Sequence, residues 1–239
     1  MTIKLCVLGS GSSGNAIYLS VDGRQFLVDC GFSKKETAKR LQAIGRDLAD
    51  IEKVYVTHDH SDHCHAWIKK AGLVAGIPAG DKCYVGELLP GMKCFPLSHD
   101  SGSGSVGYTI TDIVGNKVAV IMDTGFIPEE ILANLFDCAI IVIELNYSIE
   151  MLANSPYHVE LQERIASSVG HLRDECAAEA GGVSAWPGLK YVVAVHLSRT
   201  CINETLARFE LESVLRGVVD KCEVVVSSQK EVSKMMVII

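Results

Sequence analysis

Residues 56–65 read VTHDHSDHCH, and within them His58, His60, Asp62 and His63 form H-x-H-x-D-H. The whole chain has 8 histidines, so this short stretch concentrates them. Imidazole and carboxylate are the ligands that a divalent transition metal takes, here without thiolate. Two histidines at i and i+2 directly after an apolar run can converge only from extended or loop backbone. The adjacent pair Asp62 and His63 must leave the turn differently, so the pattern suits two neighbouring metals better than one. It is unlike H-E-x-x-H, where i and i+4 share a helix face. The competing reading is a solvated polar loop; the density of imidazole and the position after an apolar strand oppose it.

A two-metal site needs further ligands. His99 follows CFPLS, Asp123 follows VAVIM and precedes Thr124-Gly125, and His196 follows YVVAV. Each stands where a buried strand should meet a loop. Any one of them alone reads as a packed, hydrogen-bonded residue; beside H-x-H-x-D-H, the three read as ligands.

The elements that would position these groups follow from pattern. Strands are expected at 3–9, 16–21 and 25–29, the last two joined at Asp22-Gly23. A helix spans 34–44, with Ser33 as N-cap and Gly45 as its stop. A strand at 51–57 feeds the histidine cluster, and 66–74 continues as a helix. Strands follow at 94–97, 106–111 and 117–122, a helix at 129–136, and a buried strand at 139–145. Helices dominate 148–180, a strand covers 191–196, a helix 204–216, and the last strand is 223–227. Meandering strands with interspersed helices predict mixed sheets. Their natural packing is a four-layer α/β/β/α sandwich with the reactive groups on loops along one edge. No repeat or linker interrupts 1–239, which reads as one domain.

Composition narrows the classes. The chain has 239 residues, 48% hydrophobic, enough for one sizeable core. Its net charge of -7 excludes a bulk nucleic-acid coater but leaves a nuclease with a local basic patch open. Met1-Thr2-Ile3-Lys4 leads straight into an apolar run, so no signal peptide is expected. The longest apolar stretch, 138–143, is too short for a bilayer. The 9 cysteines, with no C-x-x-C pair, read as reduced thiols of a cytoplasmic protein.

One motif is a decoy. GSGSSG, Gly9 to Gly14, matches the dinucleotide fingerprint, with Asp29 near the expected acidic position. The fingerprint requires a helix after the glycines. Here Asn15 is followed by AIYLSV, a strand, so the segment reads as a turn whose N–H groups could face an anion.

THDHSDH resembles the first metal motif of the metallo-β-lactamase fold family. By that resemblance His58, His60 and His99 would hold one metal, and Asp62, His63 and His196 the other. Asp123, in MDTG, would bridge them. The strings LGSGSSGNAIYL, FLVDCGFS, SHD, VGYTI, DTG, IELNYSIEML, PYHVELQERI, GHL and HLS resemble the YycJ/WalJ-like subgroup, and more distantly PhnP-like phosphodiesterases. Arg173, Asp174 and Glu175 after GHL, Asn203 alone after HLS, and Cys64-His65 depart from the subgroup pattern. These departures leave the ligands intact and fall at the substrate end.

The resemblance implies an αββα metallohydrolase with two divalent ions, zinc or manganese, and a metal-activated hydroxide attacking phosphorus. Asp62 and His171 are the catalytic candidates, His171 as proton donor or phosphate grip, or else as a helix C-terminal histidine. Arg173 and Arg199 are phosphate-clamp candidates or surface charges. Asp59 either orients a ligand or is solvated, and Cys64 is a buried thiol. The implied activity is 5′-to-3′ DNA exonuclease, with single-stranded or end-containing DNA as substrate, no membrane, and a homodimer as an option. A phosphodiesterase of small cyclic or dinucleotide substrates, a lactone or thioester hydrolase, and a metal-stabilised binding module are the alternatives.

Overall fold

The computed structural model describes residues 2–79, 82–219 and 221–239. Strands β1 (Ile3–Gly9), β2 (Ala16–Val21) and β3 (Arg24–Val28) form an antiparallel meander. Asp22 and Gly23, with φ of 51° and 86°, make the tight turn that the DG pair suits. Helix α1 (Lys34–Ala43) starts at Ser33, whose hydroxyl accepts from the Glu36 amide. Strand β4 (Lys53–Tyr55) runs parallel to β3. Helix α2 (Ala66–Lys70) is followed by β5 (Val74–Ala79) and β6 (Lys82–Gly86).

The second half repeats the plan. Strands β7 (Met92–Leu97), β8 (Ser105–Thr111) and β9 (Lys117–Ile121) meander antiparallel. Helix α3 (Glu129–Leu132) leads to β10 (Cys138–Glu144), which lies parallel to β9. Three helices follow: α4 (Ile149–Ala153), α5 (Val159–Ala166) and α6 (Asp174–Val183). Then come β11 (Tyr191–Val195), α7 (Glu204–Leu215), β12 (Glu223–Val226) and β13 (Met236–Ile238).

One sheet has the order β13-β1-β2-β3-β4-β5-β6 and the other β12-β11-β10-β9-β8-β7. Side-chain alternation makes the layers. In β1, Ile3, Leu5 and Val7 enter the core between the sheets, while Cys6 and Leu8 face the outer helices. In β10, Ile140 and Val142 face the other sheet, and Ile141 and Ile143 pack under the helices with Leu172, Ala177 and Leu211. Both faces of these strands are covered, which is why they read as unbroken apolar runs. The expected four-layer α/β/β/α sandwich is the observed one.

Three expectations need correction. The 66–74 helix stops at Lys70, because Gly72 takes φ of 67° and the chain turns into β5. The 129–136 helix is shortened to α3. Strand β12 is not the last, since β13 pairs antiparallel with β1, Ile3 opposite Ile238. Among the described residues no helix is long and apolar enough to cross a membrane.

Candidate metal centre

Strand β4 runs out into the histidine loop, which both sheets hold. The Tyr108 hydroxyl donates to the Val56 carbonyl at 2.6 Å, and the Val106 amide to the Thr57 carbonyl at 2.9 Å. The loop folds back on itself through amides of His63 and Cys64, which donate to the His60 carbonyl at 3.0 and 2.8 Å. On its other side the Asn15 amide donates to the Asp62 carbonyl at 2.7 Å, and Cys30 to His63 at 2.7 Å. Gly31 makes this closeness feasible: a Cβ there would lie 1.7 Å from the Asp62 carbonyl oxygen.

The loop brings together the residues singled out by type and spacing. His58 Nε2 lies 3.0 Å from His60 Nδ1, and His99 Nε2 lies 3.4 Å from that same atom. Asp62 Oδ2 lies 3.5 Å from His63 Nε2 and 3.8 Å from His196 Nε2. Asp123 stands between these two sets, its Oδ2 at 2.7 Å from His63 Nε2 and 3.6 Å from His58 Nε2. Within each trio, His58–His60–His99 and Asp62–His63–His196, one ligand atom per residue lies within 4.8 Å of the others. Imidazole nitrogens crowd both Asp123 oxygens, His63 Nε2 on Oδ2 and the Nδ1 atoms of His171 and His196 at 3.0 Å from Oδ1, but none is aligned as a full hydrogen bond, and His196 Nε2 has no partner. Buried acceptors left in that state are costly, and a cation among them removes the cost. The donor set therefore fits divalent metal.

A second layer of contacts fixes the rings. Asp29, fully buried, accepts from His63 Nδ1 at 2.7 Å, the Thr57 amide at 2.7 Å and the Thr57 hydroxyl at 2.8 Å. His99 Nδ1 donates to the Gly170 carbonyl at 2.9 Å. Glu144, at the end of β10, accepts from His171 Nδ1 at 2.7 Å and His196 Nδ1 at 3.1 Å through Oε1. Its Oε2 accepts from the amides of Thr124 and Leu172 at 3.0 and 3.2 Å. Asn146 donates to the His196 carbonyl at 2.8 Å. The Gly/Ser turn contributes too: the His196 amide donates to Ser10 Oγ at 2.8 Å, and that hydroxyl donates to Asn15 Oδ1 at 2.7 Å. As expected, the turn precedes a strand rather than a helix. Asp29, Asp123 and His196 take φ of 59°, 52° and 55°, left-handed values that non-glycine residues adopt at a cost.

Charge in this cluster is tightly balanced. Burial opposes ionisation of Asp123, but His196 and His63 hold its carboxyl well below the usual range. Burial likewise opposes a charged His63, yet Asp123 and Asp29 raise its pKa to about 10. For His171, burial is again outweighed, by Glu144 and Asp123, and the pKa rises to about 9.

His171 lies beyond the end of α5 and faces Glu144 and Asp123, so it is part of the cluster rather than a helix-terminal residue. Asp59 is exposed, and the ring-orienting role falls to Asp29, Glu144 and the Gly170 carbonyl. Cys64 is buried beside Cys30 and lies outside the ligand groups. Arg173 pairs with Glu175, and Arg199 with Ser13 at the surface; neither lines the site cavity. Glu144, Asn146 and Asn15 escaped the sequence reading, and Asp29 was noticed only as part of the decoy. The one signal for Glu144 was a carboxylate closing an apolar run, CAIIVIE.

The cavity over the cluster has a volume of about 310 Å³. It is lined by His60, Asp62, His99, Asp123, His171 and His196, together with Tyr157, Leu161, Arg164 and Ile165. A larger cavity of about 410 Å³, near Asn116, Trp186 and Ile239, is lined by no histidine.

The chain is similar to several known proteins. The family model "Anti-Pycsar protein Apyc1" matches residues 3–67. The chain is 29% identical to exodeoxyribonuclease YycJ of Bacillus anthracis over 239 residues, covering 90% of each protein. It is 28% identical to exodeoxyribonuclease WalJ of Streptococcus pneumoniae, covering 89% of this chain and 88% of that one. The crystal structure of the metallo-β-lactamase fold protein YhfI from Bacillus subtilis superposes with a TM-score of 0.67 at 14% identity, covering 99% of this chain and 100% of that one. The resemblance drawn from the motifs thus extends along nearly the whole chain, and the fold is the metallo-β-lactamase fold.

Proposed function

We propose that this chain, a metal-dependent hydrolase of metallo-β-lactamase fold similar to YycJ and WalJ, is a phosphodiesterase that removes nucleotides from DNA in the 5′-to-3′ direction. The observation that carries the reading is the convergence of two three-ligand sets on the buried carboxylate of Asp123. In this assignment His58, His60 and His99 would hold one cation and Asp62, His63 and His196 the second, with Asp123 available to either. Zinc or manganese suits such a mixed imidazole–carboxylate set. Bound there, the pair supplies Lewis-acid stabilisation of phosphoryl charge and a water that ionises near neutral pH.

The protein's own groups do the rest. Asp29 and Glu144 fix the tautomers of His63 and His196, so that each presents Nε2 to the centre. Glu144 also holds His171 Nδ1, which leaves the other ring nitrogen of His171 for the substrate. From the cavity wall that nitrogen can donate a proton to the departing 3′-oxygen or hold a non-bridging oxygen. The apolar residues Leu161 and Ile165 shed water from the reacting face.

The similarity to proteins named exodeoxyribonucleases favours DNA as substrate. The test is hydrolysis of 5′-labelled single-stranded DNA with manganese or zinc, beside an Asp123→Ala/His196→Ala double variant. Release of label as mononucleotide by the wild type only is the expected result. Intact DNA with cleavage of bis(p-nitrophenyl) phosphate would reject the DNA reading and move the substrate to small cyclic or dinucleotide diesters.

A further inference from the structure

The site cavity has a single Lys or Arg among its lining residues, Arg164. The mechanism above does not use it. Arg164 lies on α5, where Leu161, Arg164 and Ile165 share a face by their i, i+3, i+4 spacing. That face, with Tyr157 just before the helix, lines the same cavity as the candidate metal ligands. Tyr157 is itself held by its hydroxyl, 3.2 Å from Thr200 Oγ1.

The guanidinium is held in a two-pronged pair by Asp100, Nε at 2.6 Å from Oδ2 and Nη2 at 2.8 Å from Oδ1. The same Oδ1 lies 3.6 Å from His99 Nε2, the nitrogen that faces the first cation position. One carboxylate oxygen therefore separates the guanidinium from the metal-facing edge of the cluster. Asp100 marks the position of an acceptor that Arg164 can grip there: an oxyanion offering two oxygens to the fork, which a phosphate does. The pair is solvent-accessible, with side-chain exposures of 46% for Arg164 and 28% for Asp100. Solvent screens the pair, and a doubly charged phosphate can compete with the single carboxylate for the guanidinium.

We propose that Arg164 is the specificity-determining residue for a strand end: it binds the 5′-terminal phosphate, while the first nucleoside lies along Tyr157, Leu161 and Ile165 and the next phosphate reaches the metal cluster. This rests on the phosphodiesterase reading given above and adds to it a reason for acting at 5′ ends. A cavity of about 310 Å³ holds roughly one nucleotide, consistent with threading a terminus rather than gripping the middle of a strand.

Binding and cleavage test it separately. Affinities of the metal-loaded protein for thymidine 3′,5′-bisphosphate and thymidine 3′-monophosphate are measured by calorimetry for wild type, Arg164→Ala and Arg164→Lys. The expected result is that the added 5′-phosphate tightens wild-type binding about tenfold, the scale of one charge-assisted bidentate contact. That advantage should vanish in Arg164→Ala and return in part in Arg164→Lys. An equal advantage in wild type and Arg164→Ala, or none in wild type, would overturn the proposal. In parallel, kcat/KM is compared for 5′-phosphorylated and 5′-hydroxyl oligothymidylates. Their ratio should fall in Arg164→Ala through KM; an unchanged ratio rejects the assignment. If no oligonucleotide is cleaved, the DNA reading fails while the calorimetric comparison still decides the role of Arg164.

Discussion

Glu144 joins two histidines that lie far apart in sequence. Its carboxylate receives His171 and His196 and two backbone amides, all inside the fold. Replacing it by Gln keeps the volume and removes the charge that orients both rings. Activity or metal affinity of Glu144→Gln should fall about 10–100-fold, the range for partners of metal ligands, read by kcat together with metal content after dialysis. Asp29→Asn should loosen His63 directly and His58 only through Thr57, weakening retention of one cation more than the other. The candidate ligands stand out in the sequence because their chemistry is local: four lie in H-x-H-x-D-H and three close apolar strands. Glu144 and Asp29 do not, because each also closes a strand, and what distinguishes them is a partner supplied by a distant segment.

At the scale of elements, the site depends on strand ends being drawn closely together. Gly31 shows how closely, since any side chain there meets the Asp62 carbonyl. Gly31→Ala should destabilise the fold by about 2 kcal/mol, the cost of overpacking, a fall in Tm of about 4–8 °C. It should also displace Asp62, so scanning calorimetry and metal content should change together. A normal Tm with full metal content would show the loop to be more yielding than its packing indicates. Most strands were readable from apolar runs, because both faces of β1 and β10 are buried. Strand β13 was not: its three residues gain their place only by pairing with β1 at the opposite end of the chain. The extent of α2 was also misjudged, since tertiary pairing of Val74 in β5 overrides the helical continuation of 66–74.

For the whole molecule, His63 and His171 tie stability to pH in one sense, opposed by the buried neutral His58 and His99, and cation binding adds a dependence of its own. In chelator, His63 and His171 titrate near about 10 and about 9, above the ordinary imidazole value of about 6.5. Their charged forms then stabilise the fold fully below about pH 6.5, and that contribution is lost as pH rises through 9 to 10. Cation binding needs neutral imidazoles, so the stabilisation it adds should weaken as pH falls. The Tm difference between loaded and chelated protein should therefore widen from pH 6 to pH 9; a constant difference would contradict the ligand assignment. A polymeric substrate should also show binding that drops steeply with added salt, while hydrolysis of a small diester responds weakly. The most direct test of the central claim is a metal titration of the chelated protein, with bound metal and phosphodiester hydrolysis measured in the same samples. Two cations at one site should give binding that saturates at two equivalents per chain, with hydrolysis appearing as the second is filled and lost in Asp123→Ala. Saturation at one equivalent, or hydrolysis undiminished by chelator, would contradict it.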